Sequence, residues 1–187
     1  MLSDLKLSVL QLIQAKGLER RSEPFQLSSG EWSQDYIDGK RALASGEDLR
    51  LVAEAALQQA QQLRIEFDCV GGLTMGADPL AHAIAILAGK RWFSVRKDRK
   101  GHGKKKLTEG ATIGPRDRVL LVDDVVTTGK SIIQALDAVS ENGAEVVLAL
   151  CVVDRGKRAA EELGARGITY SPLLTYADLG IEAVGAL

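Results

Sequence analysis

The sequence contains few of the residues that bind metals or form disulfides. Its 187 residues include only two cysteines and two histidines, and 4% of them are aromatic. Cys69 and Cys151 lie far apart, each inside an apolar segment, so we expect two reduced thiols in the core and no disulfide. A zinc centre needs several ligands close together, and His82 and His102 add too few.

The sequence also lacks long apolar runs and a strong overall charge. No apolar run reaches the ~18 residues that cross a membrane. The first 18 residues scatter charged side chains and offer no small-residue cleavage site, which does not fit a secretory signal. The net charge of −1 gives no general attraction to nucleic acid or to membranes. We therefore expect a cytoplasmic protein with no membrane or nucleic-acid partner.

What is present is an alternation of short apolar runs with helix-forming segments. This alternation predicts an α/β fold with a central, mostly parallel sheet flanked by helices, in one domain spanning residues 1–187. We expect the first 65 residues to cap the sheet and not to fold alone. Helices are predicted over residues 4–16, 46–63, 79–88, 130–142 and 156–163, and strands over 68–73, 91–95, 118–122, 146–153 and 168–173, with two strands or extended segments within 24–38.

The segment from Val119 to Ser131 carries the strongest functional pattern. Its four apolar residues predict a strand that is buried on both faces, and Asp123 and Asp124 follow at the carboxyl end. The Thr-Thr-Gly-Lys-Ser sequence then opens a helix, whose unpaired N–H groups suit a phosphate. Gly129 would let the backbone approach that phosphate closely. The two acids can accept hydrogen bonds from ribose hydroxyls, and the cradle beside them can hold a phosphate. This arrangement fits a sugar phosphate.

Two other interpretations of this segment are weaker. A nucleoside triphosphate loop of the GxxxxGK[ST] type needs glycine at position 124, where the chain has Asp124. A plain strand–turn–helix with a Thr or Ser cap does not account for two adjacent carboxylates, which repel each other unless a positive or hydroxylic group meets them.

The same segment resembles the phosphoribosyl diphosphate (PRPP) loop of the type I phosphoribosyltransferase family. The resemblance implies that family's fold, with a small N-terminal hood and a flexible catalytic loop. It also implies that the two acids contact the 2′- and 3′-hydroxyls of ribose while the loop holds the 5′-phosphate. The PRPP-binding residues implied here are Asp123, Asp124, Val125, Val126, Thr127, Thr128, Gly129, Lys130 and Ser131, with the two acids also catalytic.

A basic segment occupies residues 96–106. It contains seven Lys or Arg side chains and one Asp, so it carries +6 while the rest of the chain carries −7. By itself it could be a solvated loop, a nonspecific nucleic-acid surface, or a cationic lid over PRPP. In the resembled family this loop closes over the active site, usually that of the partner subunit. The resemblance implies PRPP contacts for Arg96, Lys97, Lys100 and His102, with Lys100 catalytic, and none for Lys104, Lys105 and Lys106.

Several segments together are similar to the orotate phosphoribosyltransferase family, over roughly residues 20–160. Besides the PRPP loop, these are residues 25–40, 71–81, 95–109 and 153–155. The resemblance implies that Thr127 and Arg155 bind orotate, whose carboxylate suits a bidentate guanidinium. From the residues alone, Arg155 could instead form a surface salt bridge with Asp154 or Glu161. Trp32 and Tyr36 match positions near the base, and core packing is the simpler expectation for both.

Two residues depart from the family pattern. Many members have a lysine where this chain has Ser28 and Gly76, and both lysines would contact the phosphates of PRPP. Because these two lysines are absent, we expect binding of the diphosphate to depend more heavily on Lys97, Lys100 and His102.

The resemblance implies a Mg²⁺-dependent homodimer that converts orotate and PRPP into orotidine 5′-monophosphate and diphosphate, in pyrimidine (UMP) biosynthesis. Mg²⁺ would be held mainly through PRPP and water, with no direct protein ligand. Three alternatives stay open: a phosphoribosyltransferase for a purine or uracil, a PRPP-sensing regulator that binds RNA or DNA, and a scaffold with an inactive site. Residues 154–156 lack the aromatic stacker of purine enzymes, and the retained Asp123, Asp124, Lys100 and His102 disfavour an inactive site.

Overall fold

The N-terminal part of the chain covers one side of a sheet. The structure is a computed structural model that describes residues 4–27, 30–98 and 107–184. Helix α3 begins after Ser45 because the Ser45 hydroxyl accepts the N–H of Asp48, and two acidic residues favour its first turn. The N-terminal elements are α1 (Asp4–Leu12), a π-helical turn (Ile13–Gly17), the antiparallel strands β1 (Leu18–Gln26) and β2 (Trp32–Ile37), α2 (Gly39–Ala42) and α3 (Gly46–Gln62).

A six-stranded sheet forms the centre of the molecule. Its strand order is β5-β4-β3-β6-β7-β8, and every neighbouring pair is parallel except β5, which runs antiparallel to β4 at one edge. This topology confirms the predicted α/β class. The elements are β3 (Cys69–Leu73), α4 (Asp78–Ala88), β4 (Arg91–Val95), β5 (Thr108–Gly110), β6 (Arg118–Val126), α5 (Lys130–Glu141), β7 (Glu145–Asp154), α6 (Arg158–Ala165) and β8 (Leu174–Thr175).

Apolar side chains cover both faces of the central strand β6. Leu120 belongs to the core cluster that includes residues of α1, α3 and α4, whereas Leu121 belongs to the cluster that includes residues of α5. Burial on both faces explains the uninterrupted apolar run that the sequence shows here. Val9 of α1 and Val52 of α3 lie in the same cluster as Leu120, so the N-terminal elements share the core of the sheet.

The predicted helices are all present within a few residues, but one predicted strand is wrong. Within residues 168–173 only Tyr170 forms a bridge, to Ala149, and the last strand is instead the two-residue β8, which pairs with the end of β7. Neither α2 nor β5 was predicted, because four and three residues are too few to show a periodicity.

Two expectations about missing features can be checked in the described part of the chain. Cys69 and Cys151 are buried free thiols, as predicted. None of the helices within residues 4–27, 30–98 and 107–184 is both long enough and apolar enough to cross a membrane.

A crevice opens between β3 and β6. The two strands pair only from Cys69 to Gly71 on the β3 side, whereas β6 pairs with β7 as far as Val126. The chain leaves these central strands in opposite directions, from β3 to β4 and from β6 to β7. Ligands of open α/β sheets bind at such a switch point, outside the carboxyl ends of the strands.

Candidate active site

The acid pair lies within β6 and not after its end. The sequence predicted a strand over residues 118–122 with Asp123 and Asp124 following it. The strand instead continues to Val126, because this stretch keeps its pairing with β7. Asp123 is 5% exposed and accepts the N–H of Asp124 at 3.0 Å, while Asp124 accepts the N–H of Val125 at 2.8 Å. The carboxylates are thereby held at the crevice beside β3.

Two glycines bring backbone segments against the acid pair. A Cβ atom at Gly76 would lie 2.6 Å from Oδ1 of Asp124 and 3.1 Å from Oδ1 of Asp123. On the other side, a Cβ atom at Gly39 would lie 3.0 Å from Cβ of Asp124. Any side chain at position 76 would displace the carboxylates, so the structure accounts for the glycine at this position.

The electrostatics of the pair are unfavourable without a ligand. Burial raises the pKa of Asp123 well above its ordinary value, and the neighbouring Asp124 raises it further. The amide of Asp124 and the positive charge of Lys40 oppose this rise. A buried carboxylate beside a second one is a group that a cation or hydroxyl donors would stabilise.

The loop after β6 forms a small cradle at the N-terminus of α5. Its volume is about 160 Å³, and Asp123 together with residues 125–132 line it. Gly129 has φ of +80° and packs against Ala159 of α6, so a side chain at this position would be strained. Within the described part of the chain no side chain caps α5, which leaves its first N–H groups available to an anion. The predicted loop residues therefore surround a space suited to one phosphate group.

A larger cleft of about 940 Å³ adjoins the cradle and contains the acid pair. Arg96 and Lys97 line it, and Arg96 also forms an ion pair with Glu109 at 3.2 Å. Lys100 and His102, the other predicted PRPP contacts of the basic segment, and Lys104, Lys105 and Lys106 lie outside the described residues. The structure thus brings two of the four predicted cations of the segment to the cleft.

Arg155 follows β7 and is buried beneath the N-terminal hairpin. It is 2% exposed, and its Nη2 donates to Oγ of Ser33 at 3.0 Å, while its Nε has no partner among the described residues. No carboxylate of the described chain lies within 4.0 Å of it, so the surface salt bridge considered above is wrong. Burial lowers the pKa of Arg155, and Asp35 opposes this. A buried guanidinium without a paired anion suits an anionic ligand.

The turn that presents Arg155 is fixed by a buried network. The Tyr170 hydroxyl donates to Asp154 at 2.9 Å, and the N–H of Gly156 donates to the other carboxylate oxygen at 3.0 Å. The Cys151 thiol lies 3.0 Å from the same hydroxyl. Gly156 also packs against the carbonyl of Thr127, where a Cβ atom would lie 3.0 Å away. The network therefore sets the Arg155 turn directly beside the phosphate cradle.

Sequence reasoning missed several residues of the site. Lys40 and Thr74 line the large cleft, and Ser33 contacts Arg155. Asp78 accepts the hydroxyls of Thr74 at 2.6 Å and of Ser94 at 2.7 Å, which ties the loop after β3 to β4. None of these residues stands in a pattern that marks it locally.

The expectation for the two aromatic residues of the hairpin was only half right. Tyr36 is partly buried and packs edge-on against Phe25, with 5.9 Å between the ring centroids. Trp32 is 67% exposed, so core packing is wrong for this residue. It lies on β2 next to Ser33, at the mouth of a cavity of about 500 Å³.

Comparison with known proteins identifies the class to which this fold and site belong. The model of the phosphoribosyl transferase domain family matches residues 41–166, which include the acid pair, the cradle and Arg155. The chain belongs to this family.

Its curated relatives narrow the class to orotate phosphoribosyltransferases. The chain is 43% identical to the orotate phosphoribosyltransferase of Pyrococcus abyssi over 161 residues, which are 86% of this chain and 87% of the relative. It is 40% identical to that of Streptomyces avermitilis over 187 residues, covering 97% and 100%. A crystal structure of the Mycobacterium tuberculosis enzyme in complex with PRPP superposes with a TM-score of 0.78 at 35% identity, covering 95% and 99%. These findings confirm the resemblance and the type I fold inferred from the sequence.

Proposed function

We propose that this chain transfers the phosphoribosyl group from PRPP to orotate, forming orotidine 5′-monophosphate and diphosphate in pyrimidine biosynthesis. One arrangement carries the proposal. The acid pair and the phosphate cradle lie at the carboxyl end of β6, and the turn that carries the buried Arg155 follows the neighbouring strand β7 and packs against Thr127 of the cradle. The first part fits a ribose 5-phosphate and the second fits an anionic base. The Mycobacterium relative that binds PRPP supports the same assignment.

The residues of β6 act on the sugar. In the reaction the bond between ribose C1 and the diphosphate oxygen breaks, N1 of orotate releases its proton and bonds to C1, and positive charge develops on the ribose ring in the transition state. Asp123 and Asp124 accept hydrogen bonds from the ribose hydroxyls and place negative charge beside the ring in the transition state. The amides of residues 129–132 hold the 5′-phosphate, which fixes C1 relative to the incoming base.

Arg155 acts on the base. Its Nε, which has no partner among the described residues, and its Nη2, which donates to Ser33, form a fork that matches a carboxylate. Thr127 offers a hydroxyl from the adjacent strand end. A neutral base would leave the guanidinium buried without an anion, which selects against uracil and purines.

We assign Lys97, Lys100 and His102 to the departing diphosphate, as the resemblance implies. The donor set of the site fits Mg²⁺. The described residues contain no group of three or more His, Cys, Asp or Glu that could hold a metal, so Mg²⁺ would be held mainly through PRPP and water above the cleft that Asp123 and Asp124 line. Mg²⁺ keeps several waters and binds through few carboxylates plus substrate phosphates. When bound, it would supply positive charge to the departing diphosphate.

A homodimer completes the proposal. Ile86 is 80% exposed, and Leu87 on α4, Met75 in the preceding loop and Trp92 on β4 are exposed as well. Met75 and Trp92 also line the cleft, so this apolar surface reaches the active site. A second copy that covers it would bring a second basic segment to the cleft. We expect Lys97 to act in the partner's site in this way.

The absorbance change of orotate tests the reaction. Purified chain is mixed with PRPP, Mg²⁺ and orotate, and in parallel with uracil, hypoxanthine and adenine. We expect orotate to be consumed only when PRPP and Mg²⁺ are both present, with no turnover of the other bases. Turnover of another base without loss of orotate would overturn the assignment.

Mixing two inactive variants tests the shared site. We expect Lys97→Ala and Asp124→Asn each to be nearly inactive. After denaturation and refolding of an equal mixture, about a quarter of the sites carry neither change if Lys97 serves the partner. Recovery to about that level supports the shared site. If Lys97 acts only within its own subunit, the mixture stays inactive.

A further inference from the structure

Helix α2 brings a cation to the acid pair from the N-terminal side of the molecule. Asp38 caps this helix by accepting the N–H of Arg41 at 3.0 Å, and Gly39 packs onto Asp124. The next residue, Lys40, lines the large cleft together with both acids. It forms no ion pair within 4.0 Å among the described residues, although its charge opposes the rise in the pKa of Asp123.

The position of Lys40 distinguishes it from the cations of the cradle. It lines the large cleft but not the 160 Å³ cradle at α5. Gly76 and Thr74 line the same cleft from the loop after β3, and Gly76 leaves no room there for a side chain of its own. Lys40 therefore faces the part of the cleft outside the 5′-phosphate cradle, across the acid pair from Gly76.

We propose that Lys40 binds the diphosphate of the phosphoribosyl donor, a role that rests on the proposed function and extends it to a residue of α2. A flexible ammonium group at this place meets a diphosphate anion that sits over the acid pair. It supplies from the N-terminal segment the positive charge that Gly76 cannot supply from the loop after β3. Because α2 lies directly against Asp124, the same contact couples the N-terminal segment to occupation of the cleft.

A purely structural role for Lys40 makes a different prediction. If it only offsets the charge of Asp123, removing it would lower the thermal stability of the free chain and affect all ligands alike. If it binds diphosphate, its removal would weaken diphosphate and PRPP but leave ribose 5-phosphate nearly unchanged, since that ligand fills the cradle and the acid pair only.

Lys40→Ala and Lys40→Arg test the proposal, with Arg41→Ala as the matched control because Arg41 is the adjacent cation and does not line the cleft. The full chain is assayed for the KM of PRPP and of orotate. Inorganic diphosphate and ribose 5-phosphate are titrated calorimetrically, each with Mg²⁺. Melting temperatures are recorded for every variant.

For Lys40→Ala we expect the KM of PRPP and the Kd of diphosphate to rise about tenfold or more, as for loss of one charge-assisted hydrogen bond. The KM of orotate and the Kd of ribose 5-phosphate should stay within about twofold, Lys40→Arg should restore most of the loss, and Arg41→Ala should match the wild type. An unchanged Kd of diphosphate, or an equal loss for ribose 5-phosphate, overturns the role of Lys40. Failure of the wild type to consume orotate would overturn the proposed function instead, while the calorimetric comparison still decides about Lys40.

Discussion

The two ends of strand β6 differ in how their charged side chains are paired. At the amino end, Arg118 donates to both carboxylate oxygens of Asp68 at 3.1 Å and forms an ion pair with Glu66 at 3.3 Å. These contacts hold the pKa of Asp68 at about 2. At the carboxyl end, Asp123 and Asp124 are adjacent acids, and burial raises the pKa of Asp123.

The charges at one end of β6 therefore serve the stability of the fold, and those at the other end serve ligand binding. The charges at the amino end neutralise each other within the chain, so they stabilise the fold in its free state. The charges at the carboxyl end oppose folding until a ligand meets them, so binding energy from the ligand is needed to offset them. Arg155 is buried after the neighbouring strand β7 and has no ion-pair partner among the described residues, so the same reasoning applies to its positive charge.

The largest effect is expected from removing one charge of the acid pair. Asp123→Asn should lower kcat/KM at least about 100-fold, or about 2.7 kcal/mol, because negative charge beside the reacting ribose is lost. The melting temperature should stay equal or rise, since the raised pKa means that ionised Asp123 destabilises the fold at neutral pH. Steady-state kinetics and a thermal melt measure the two quantities. A variant that is less stable but fully active would contradict the comparison.

The next effect concerns the guanidinium at the same end. Arg155→Lys keeps the charge but loses the fork, so we expect the KM of orotate to rise about tenfold. The KM of PRPP should change less than about threefold, because Arg155 lines neither the cradle nor the large cleft. Initial rates at varied orotate and at varied PRPP separate the two constants. A matching rise in both would mean that Arg155 supports the whole site and does not serve the base.

A smaller effect is expected from the network that holds the Arg155 turn. Tyr170→Phe removes the donor to Asp154 and should cost about 1 kcal/mol of unfolding free energy. The KM of orotate should rise about two- to fivefold with the KM of PRPP unchanged, because only the Arg155 turn loosens. Urea unfolding followed with the same kinetic assays checks this. Destabilisation without any change in orotate binding would show that the network does not position Arg155.

The smallest effect on activity is expected at the amino end of β6. Asp68→Asn should leave both KM values unchanged and lower the melting temperature at neutral pH. Because the pKa of Asp68 is lowered, its contribution is present above about pH 4 and is lost as the pH falls towards 2. Melts from pH 7 to 2 should therefore show the two proteins converging in acid. Impaired turnover in the Asp68→Asn variant would contradict the assignment of the amino end of β6 to stability alone.

The sequence by itself determined the fold class and the core of the PRPP loop. Strands that are buried on both faces appear in the sequence as apolar runs, and helices of eight or more residues show their periodicity and caps. Both can therefore be predicted from a short stretch of sequence. The cradle is also local, since consecutive amides at one helix N-terminus form it, from Thr127 to Ser131. The two-residue strand β8 and the short α2 and β5 escaped prediction, because their place depends on the neighbours with which they pair.

Only the tertiary structure decided what surrounds this loop. Ser33 reaches Arg155 across 122 residues of sequence, and Gly39, Lys40 and Gly76 meet the acid pair from two other segments. Trp32 is exposed although its large apolar ring favours burial. Such contacts leave no periodicity or motif in the chain. They arise because parallel strands end at one edge of the sheet, where residues that are distant in sequence come together.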